Sequence, residues 1–141
     1  MSISSEVQMQ SFETKSLPQE KDAIAADGSE VRLLLALNDR GSTAHFRLLP
    51  GQVSRAVTHK TVHEIWYVLK GEGKMWRSQD GREEISDLRP GVCLTLPLGT
   101  RFQFTASGTA PFEALGVTIP PWPNTQDEAL IVEGRWQPNV P

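Results

Sequence analysis

Gly51-Gln-Val-Ser-Arg-Ala-Val57-Thr-His59-Lys-Thr-Val-His63-Glu64-Ile-Trp66-Tyr-Val-Leu-Lys-Gly71 is the most informative segment of the chain. Its second half alternates: Glu64, Trp66 and Val68 share one parity, Ile65, Tyr67 and Leu69 the other, as in a strand with side chains on opposite faces. On either side, short apolar or alternating runs recur between turn signals at Asp27-Gly28, Pro50-Gly51, Gly71-Glu72-Gly73, Asp80-Gly81, Pro90-Gly91 and Gly99. That rhythm predicts an all-β sandwich or barrel with few helices. Strands are expected over roughly 31–37, 43–49, 52–58, 64–70, 74–79, 82–88, 92–97, 101–106 and 111–119. Asp80-Gly81 is expected to close a tight hairpin, since such turns demand positive φ.

The spacing within this stretch carries more than a strand. From Gly51 the chain runs five residues to Val57, Thr58 and His59, four more to Glu64, and six to Gly71. A second spaced set follows in Gly91-Val-Cys-Leu-Thr-Leu-Pro97-Leu-Gly99-Thr-Arg-Phe102-Gln-Phe-Thr-Ala106. Together these resemble the two conserved motifs of the cupin superfamily. The first is glycine, five residues, histidine, one, histidine, three or four, glutamate, six, glycine; the second is glycine, five, proline, one, glycine, two, histidine, three, asparagine. The resemblance covers about residues 51–106 without a gap.

It implies a small antiparallel β-barrel, the double-stranded β-helix or jelly roll of cupins, with a pocket in its mouth. In metal-binding members the three histidines and the glutamate hold one divalent ion. Here the first histidine position is Val57, the second His59, the glutamate Glu64 and the last histidine Phe102, with Ala106 at the asparagine. Val57 and Phe102 cannot coordinate metal. Open catalytic metal sites generally need at least three protein ligands, so His59 and Glu64 alone fall one short. A divalent metal is therefore less expected than in members with the full set, and the cofactor stays open. His63 and His45 are the candidates to complete it. In an extended strand His63 points away from its neighbour Glu64.

Other features bound the function. The 141 residues suit one domain, divided as an N-terminal arm or edge strand (1–30), a barrel (31–119) and a Pro/Trp-rich tail (120–141) packed on the barrel, with Trp122 and Trp136 as anchors. Fourteen Lys and Arg against 17 Asp and Glu give a net charge of −3 with no basic run, which disfavours nucleic acid. No apolar stretch approaches a membrane span, and a cytoplasmic protein is expected. Cys93, the one cysteine, lies in an apolar run and is read as a buried core thiol.

Three functions follow. The first is a small-molecule-binding cupin in which Glu64 and His59 can do simple acid–base work, with Val57, Trp66, Phe102 and Arg55 around the ligand. Arg55 enters because a guanidinium clamps carboxylates. The second is a metal-dependent enzyme, dioxygenase- or isomerase-like, with a rebuilt ligand set. The third is a non-enzymatic ligand sensor. A homodimer is expected for each.

Overall fold

A computed structural model of the chain describes residues 9–123 and 127–141. The first eight positions of the expected arm, and positions 124–126 of the expected tail, lie outside the described residues. Among the described residues every regular element is a strand: β1 (Ala23–Ile24), β2 (Glu30–Leu37), β3 (Gly41–Leu48), β4 (Val57–His59), β5 (His63–Lys70), β6 (Glu72–Gln79), β7 (Arg82–Leu88), β8 (Cys93–Leu96), β9 (Arg101–Ser107), β10 (Phe112–Ile119) and β11 (Ala129–Ile131). No helix among these residues is long and apolar enough to cross a membrane.

Two antiparallel sheets face one another, ordered β1-β2-β3-β10-β5-β8 and β11-β4-β9-β6-β7. The alternation in β5 is the local cause of this layering: Glu64, Trp66 and Val68 are buried, while Ile65, Tyr67 and Leu69 face outward. Phe46 and Leu48 from β3, Met75 from β6, Leu94 and Leu96 from β8, Phe102 and Phe104 from β9, and Phe112 from β10 complete the core between the sheets. Trp66 is its hub, stacked on Phe46 at 5.1 Å between centroids and edge-on to Phe104 at 5.0 Å. Aromatic pairs at these separations add to what burial of their area already contributes.

The hairpin between β6 and β7 closes at Asp80 (φ 47°) and Gly81 (φ 79°), with Gln79 opposite Arg82. Both central residues thus take the left-handed backbone that the sequence demanded. Gly116 on β10 serves a different need: a Cβ there would lie 2.4 Å from a ring carbon of Phe46, so its bare backbone makes room for the Phe46 ring.

Three expectations need correction. Cys93 is exposed, because Leu94 and Leu96 take the inward parity of β8. The strand expected over 52–58 forms only at its end, as β4; before it, Val53 makes an isolated bridge with Thr105 and the Ser54 N–H donates to the Phe104 carbonyl at 2.9 Å. A short strand, β11, arises in the segment read as tail, where no strand was expected; it borders the cavity described next, as does β1, an edge strand inside the 1–30 segment read as an arm or edge strand.

The tail runs back over the five-stranded sheet. The buried Gln103 side chain accepts from the N–H groups of Arg135 and Trp136 at 2.9 Å and donates to the Trp136 carbonyl at 2.9 Å. On the other side, Gln10 bonds Ala36 and Asn38, and Lys15 bonds the Leu33 carbonyl, which lays residues 9–15 along β2.

Candidate functional site

A cavity of about 370 Å³ opens between the sheets at the barrel mouth. Val57, His59, Glu64, Trp66, Phe46, Thr118, Asp27, Trp122, Glu128 and residues 23–26 line it. Its volume is at the low end of the range for small-molecule sites.

His59 and Glu64 come from opposite sheets and meet across the mouth, with His59 Nε2 2.9 Å from Glu64 Oε1. Glu64 Oε2 accepts from the Trp66 indole N–H at 3.2 Å, two residues along the same face of β5. The other His59 nitrogen, Nδ1, is 3.1 Å from Glu128 Oε2. Glu128 itself is buried and held by the Lys60 N–H, the Thr61 N–H and, at 2.5 Å, the Thr61 hydroxyl. The strand pairing explains this placement: Ala129 lies opposite His59 in the β11–β4 ladder, so Glu128 arrives beside the imidazole.

The result is a buried carboxylate–imidazole–carboxylate array. Ionised carboxylates only accept hydrogen bonds, so a ring facing one on each side fits both as an imidazolium. Burial works against that charge, yet the hydrogen bonds and charges of Glu64 and then Glu128 outweigh it and hold His59 above its ordinary value. Burial likewise opposes the Glu128 carboxylate, but the Thr61 hydroxyl and N–H, with His59, carry it below the usual range.

Asp27 is the third carboxylate of the cavity. Burial pushes its carboxyl up, the Glu64 charge adds to this, and hydrogen bonds from Ser29 together with the His59 charge work the other way. Its Oδ1 accepts from the Ser29 N–H at 2.8 Å and the Ser29 hydroxyl at 2.7 Å.

Val57 and Phe102, the two ligand positions without donors, are register partners across β4 and β9. Both are buried, and the Phe102 ring stacks on the His59 imidazole at 5.9 Å. Aromatic carbon thus lies against the imidazole where a metal ligand would stand in the resemblance.

Neither candidate extra ligand reaches the site. His63 is exposed and its Nδ1 accepts from the Leu98 N–H at 3.0 Å. His45 has the opposite parity to the cavity residue Phe46 and pairs with Glu113 at 2.7 Å on the outer side of the six-stranded sheet. Arg55 also stands apart from the cavity wall, donating to the Pro141 carbonyl at 2.6 Å and the Ala26 carbonyl at 3.3 Å.

A metal does not fit this donor set. Two of the four family positions carry no ligand atom, both nitrogens of His59 face carboxylates, and no cluster of three or more metal-ligating side chains occurs among the described residues.

The model of the cupin domain matches residues 44–118, more than half of the chain. The chain belongs to the cupin family. No curated protein matches it. Solved structures share the cupin fold at low identity. An uncharacterized conserved protein with a double-stranded β-helix domain from Klebsiella pneumoniae is 18% identical, with 75% of this chain and 85% of that one covered and a TM-score of 0.60. Oxalate decarboxylase from Bacillus subtilis is also 18% identical, with a TM-score of 0.70 over 89% of this cupin and 33% of that chain. CapF bound to the inhibitor 3-isopropenyl-tropolone is 17% identical, with a TM-score of 0.66 over 86% and 35%. This cupin therefore spans about a third of the length of the latter two. At such identities the likeness concerns the fold alone.

Sequence reasoning missed two of the wall's carboxylates. Asp27 is visible in sequence only as half of a turn signal, and Glu128 only as an acidic residue ahead of a short apolar run.

Proposed function

We propose that this cupin binds a small organic molecule in its barrel mouth without a metal, and that Glu64 and His59 supply any acid–base chemistry there. The observation that carries this reading is the double engagement of His59. Each ring nitrogen is held by a buried carboxylate, and an aromatic ring fills the space where a further ligand would stand. Glu64 lines the cavity and shares a hydrogen bond with a ring that can return a proton to it, so it is the group placed to exchange a proton with a bound molecule. Glu128 positions the ring from behind, as the third member of a nucleophile–base–orienter array does.

The test is elemental mass spectrometry on chelator-free protein, paired with a thermal-shift screen of small molecules on metal-stripped protein. The reading expects far less than one equivalent of metal, an unchanged melting temperature after stripping, and ligands that raise it. Near one equivalent of metal that disappears in His59→Ala overturns it in favour of a metal-dependent enzyme. Ligands that stabilise without turnover favour the sensor.

We also propose a homodimer. Ile65, Tyr67 and Leu69 are 37, 47 and 41% exposed side by side on the outer face of β5, an apolar stripe that a second copy would cover. A monomeric mass by light scattering overturns this. The single exposed thiol fits a cytoplasmic, reducing location.

A further inference from the structure

The side chains around the cavity can be sorted by what they leave for a ligand. Glu64, Asp27 and Glu128 contribute three carboxylates, His59 one cationic ring, and no Lys or Arg belongs to the wall. Even with His59 charged, the three carboxyl groups outnumber it, and an ammonium brought beside Asp27 would favour the ionised form that burial opposes.

The hydrogen-bonding inventory points the same way. The His59 ring nitrogens both face carboxylates, the Trp66 indole N–H donates to Glu64, and the Thr118 hydroxyl bonds Ser42. Of the wall's side-chain donors, the Trp122 indole N–H alone has no hydrogen-bond partner among the described residues. Acceptors, in contrast, remain. Glu128 is saturated by four donors, but each Glu64 oxygen takes a single hydrogen bond. Asp27 is only 6% exposed, and its Oδ2 has no hydrogen-bond partner among the described residues, while Oδ1 takes both bonds from Ser29. Oδ2 is thus the acceptor that Asp27 leaves for a ligand at the cavity wall, and a cationic donor placed there would gain a charge-assisted hydrogen bond.

The remaining wall is apolar and aromatic: Phe46 and Trp66 stacked together, with Trp122 beside them. Aromatic faces attract cations, most strongly where water is excluded.

From this arrangement we propose that the ligand is a small organic cation, a protonated amine with an apolar or aromatic body, its ammonium held by Asp27 and Glu64 and its body against Phe46, Trp66 and Trp122. An ammonium has donors and no acceptor, which complements a wall with acceptors in surplus. A carboxylate ligand would bring acceptors and like charge to the same place. This assignment rests on the small-molecule reading above and narrows it to one chemical class.

Three probes of one shape but different charge test it: benzylamine, benzyl alcohol and benzoate, titrated into the full chain at near-neutral pH and constant ionic strength, by calorimetry and thermal shift. Benzylamine is expected to bind saturably and raise the melting temperature, with benzoate silent and the alcohol at least about tenfold weaker, the loss of one charge-assisted hydrogen bond. Asp27→Asn, which keeps an oxygen for Ser29, is expected to weaken benzylamine by about tenfold or more. Glu64→Gln serves as the second variant should Asp27→Asn fail to fold. Benzoate or benzyl alcohol binding as well as the amine, or amine affinity unchanged in a folded variant, overturns the cation assignment and leaves the pocket reading intact. Silence from all three probes overturns the assignment too, and the pocket reading is then judged by the metal assay and the wider screen.

Discussion

Replacing Glu128 with glutamine or alanine separates its charge from its hydrogen bonds. Its carboxylate takes four donors: His59 Nδ1 at 3.1 Å, the Lys60 and Thr61 N–H groups at 3.1 Å, and the Thr61 hydroxyl at 2.5 Å. In Glu128→Gln the amide oxygen can occupy the Oε2 position and keep three of these, while the Thr61 hydroxyl rotates to accept from the amide nitrogen. What disappears is charge. A hydrogen bond involving an ionised group contributes roughly 1.5–3 kcal/mol against about 1 for a neutral one, so the loss is about 1–2 kcal/mol. For a domain of this size that lowers the melting temperature by about 3–6 °C. Glu128→Ala strips every partner and leaves the imidazolium and two N–H groups without it, a loss of about 3–5 kcal/mol. The assay is a pair of thermal melts together with an NMR titration of the His59 ring. In Glu128→Gln its midpoint is expected to fall, because the Glu128 charge no longer favours the charged ring. A His59 titration indistinguishable from wild type, or a glutamine variant as unstable as the alanine one, refutes the claim that Glu128 acts through charge on the imidazole.

The double variant Val57→His, Phe102→His restores donors at two paired positions of β4 and β9, and is expected to acquire near one equivalent of divalent metal by elemental mass spectrometry. Failure to bind metal would show that the His59 carboxylate contacts, not the missing ligands, are decisive. Stability is expected to fall as pH rises beyond 6.5, the ordinary His value, because a raised folded-state pKa stabilises fully below that point and is lost as pH climbs through the folded value. Asp27, also raised, has the same sign from 3.8 upward, while Glu128, lowered, stabilises above 4.5 and loses this as pH falls through its folded value. A melting temperature that stays flat above pH 6.5 counts against the charged imidazole. Cys93 lies opposite Tyr67 on the outer face that a second copy would cover, so it is expected to react with a thiol reagent without denaturant at protein concentrations low enough for the monomer and to be shielded in the dimer; protection in the monomer would contradict its outward parity on β8.

The fold was legible because it depends on local periodicity. Alternation in Glu64–Leu69 assigns each side chain to a face with no knowledge of the partner strands, and Asp80-Gly81 names its turn by backbone demand alone. Period-two reading fails where the parity itself is ambiguous. Cys93 sits in the mostly apolar run Val92-Cys93-Leu94-Thr95-Leu96, where Thr95 alone marks the outward parity that Cys93 shares. For His45 the ambiguity was the same, and the neighbouring Phe46 resolves it by taking the cavity side.

The site was half legible for a different reason. His59 and Glu64 are close in sequence, and fixed spacing brings them to one mouth. Asp27 and Glu128 reach that mouth from segments far along the chain in both directions, β1 and the turn after it on one side, β11 on the other, so no local pattern could announce them. Without them, Val57 and Phe102 look like damage to a metal centre. With them in place, the same substitutions belong to a different solution of one electrostatic problem, namely how to keep a histidine and a carboxylate buried together. A metal ion would supply positive charge to Glu64 and occupy His59. Here His59 itself supplies the charge, Glu128 supports it from behind, and Phe102 covers the ring. Each of the three is needed for the others: an imidazolium without Glu128 would face burial with one partner fewer, and a histidine at 102 would put a polar ring where an apolar one now packs.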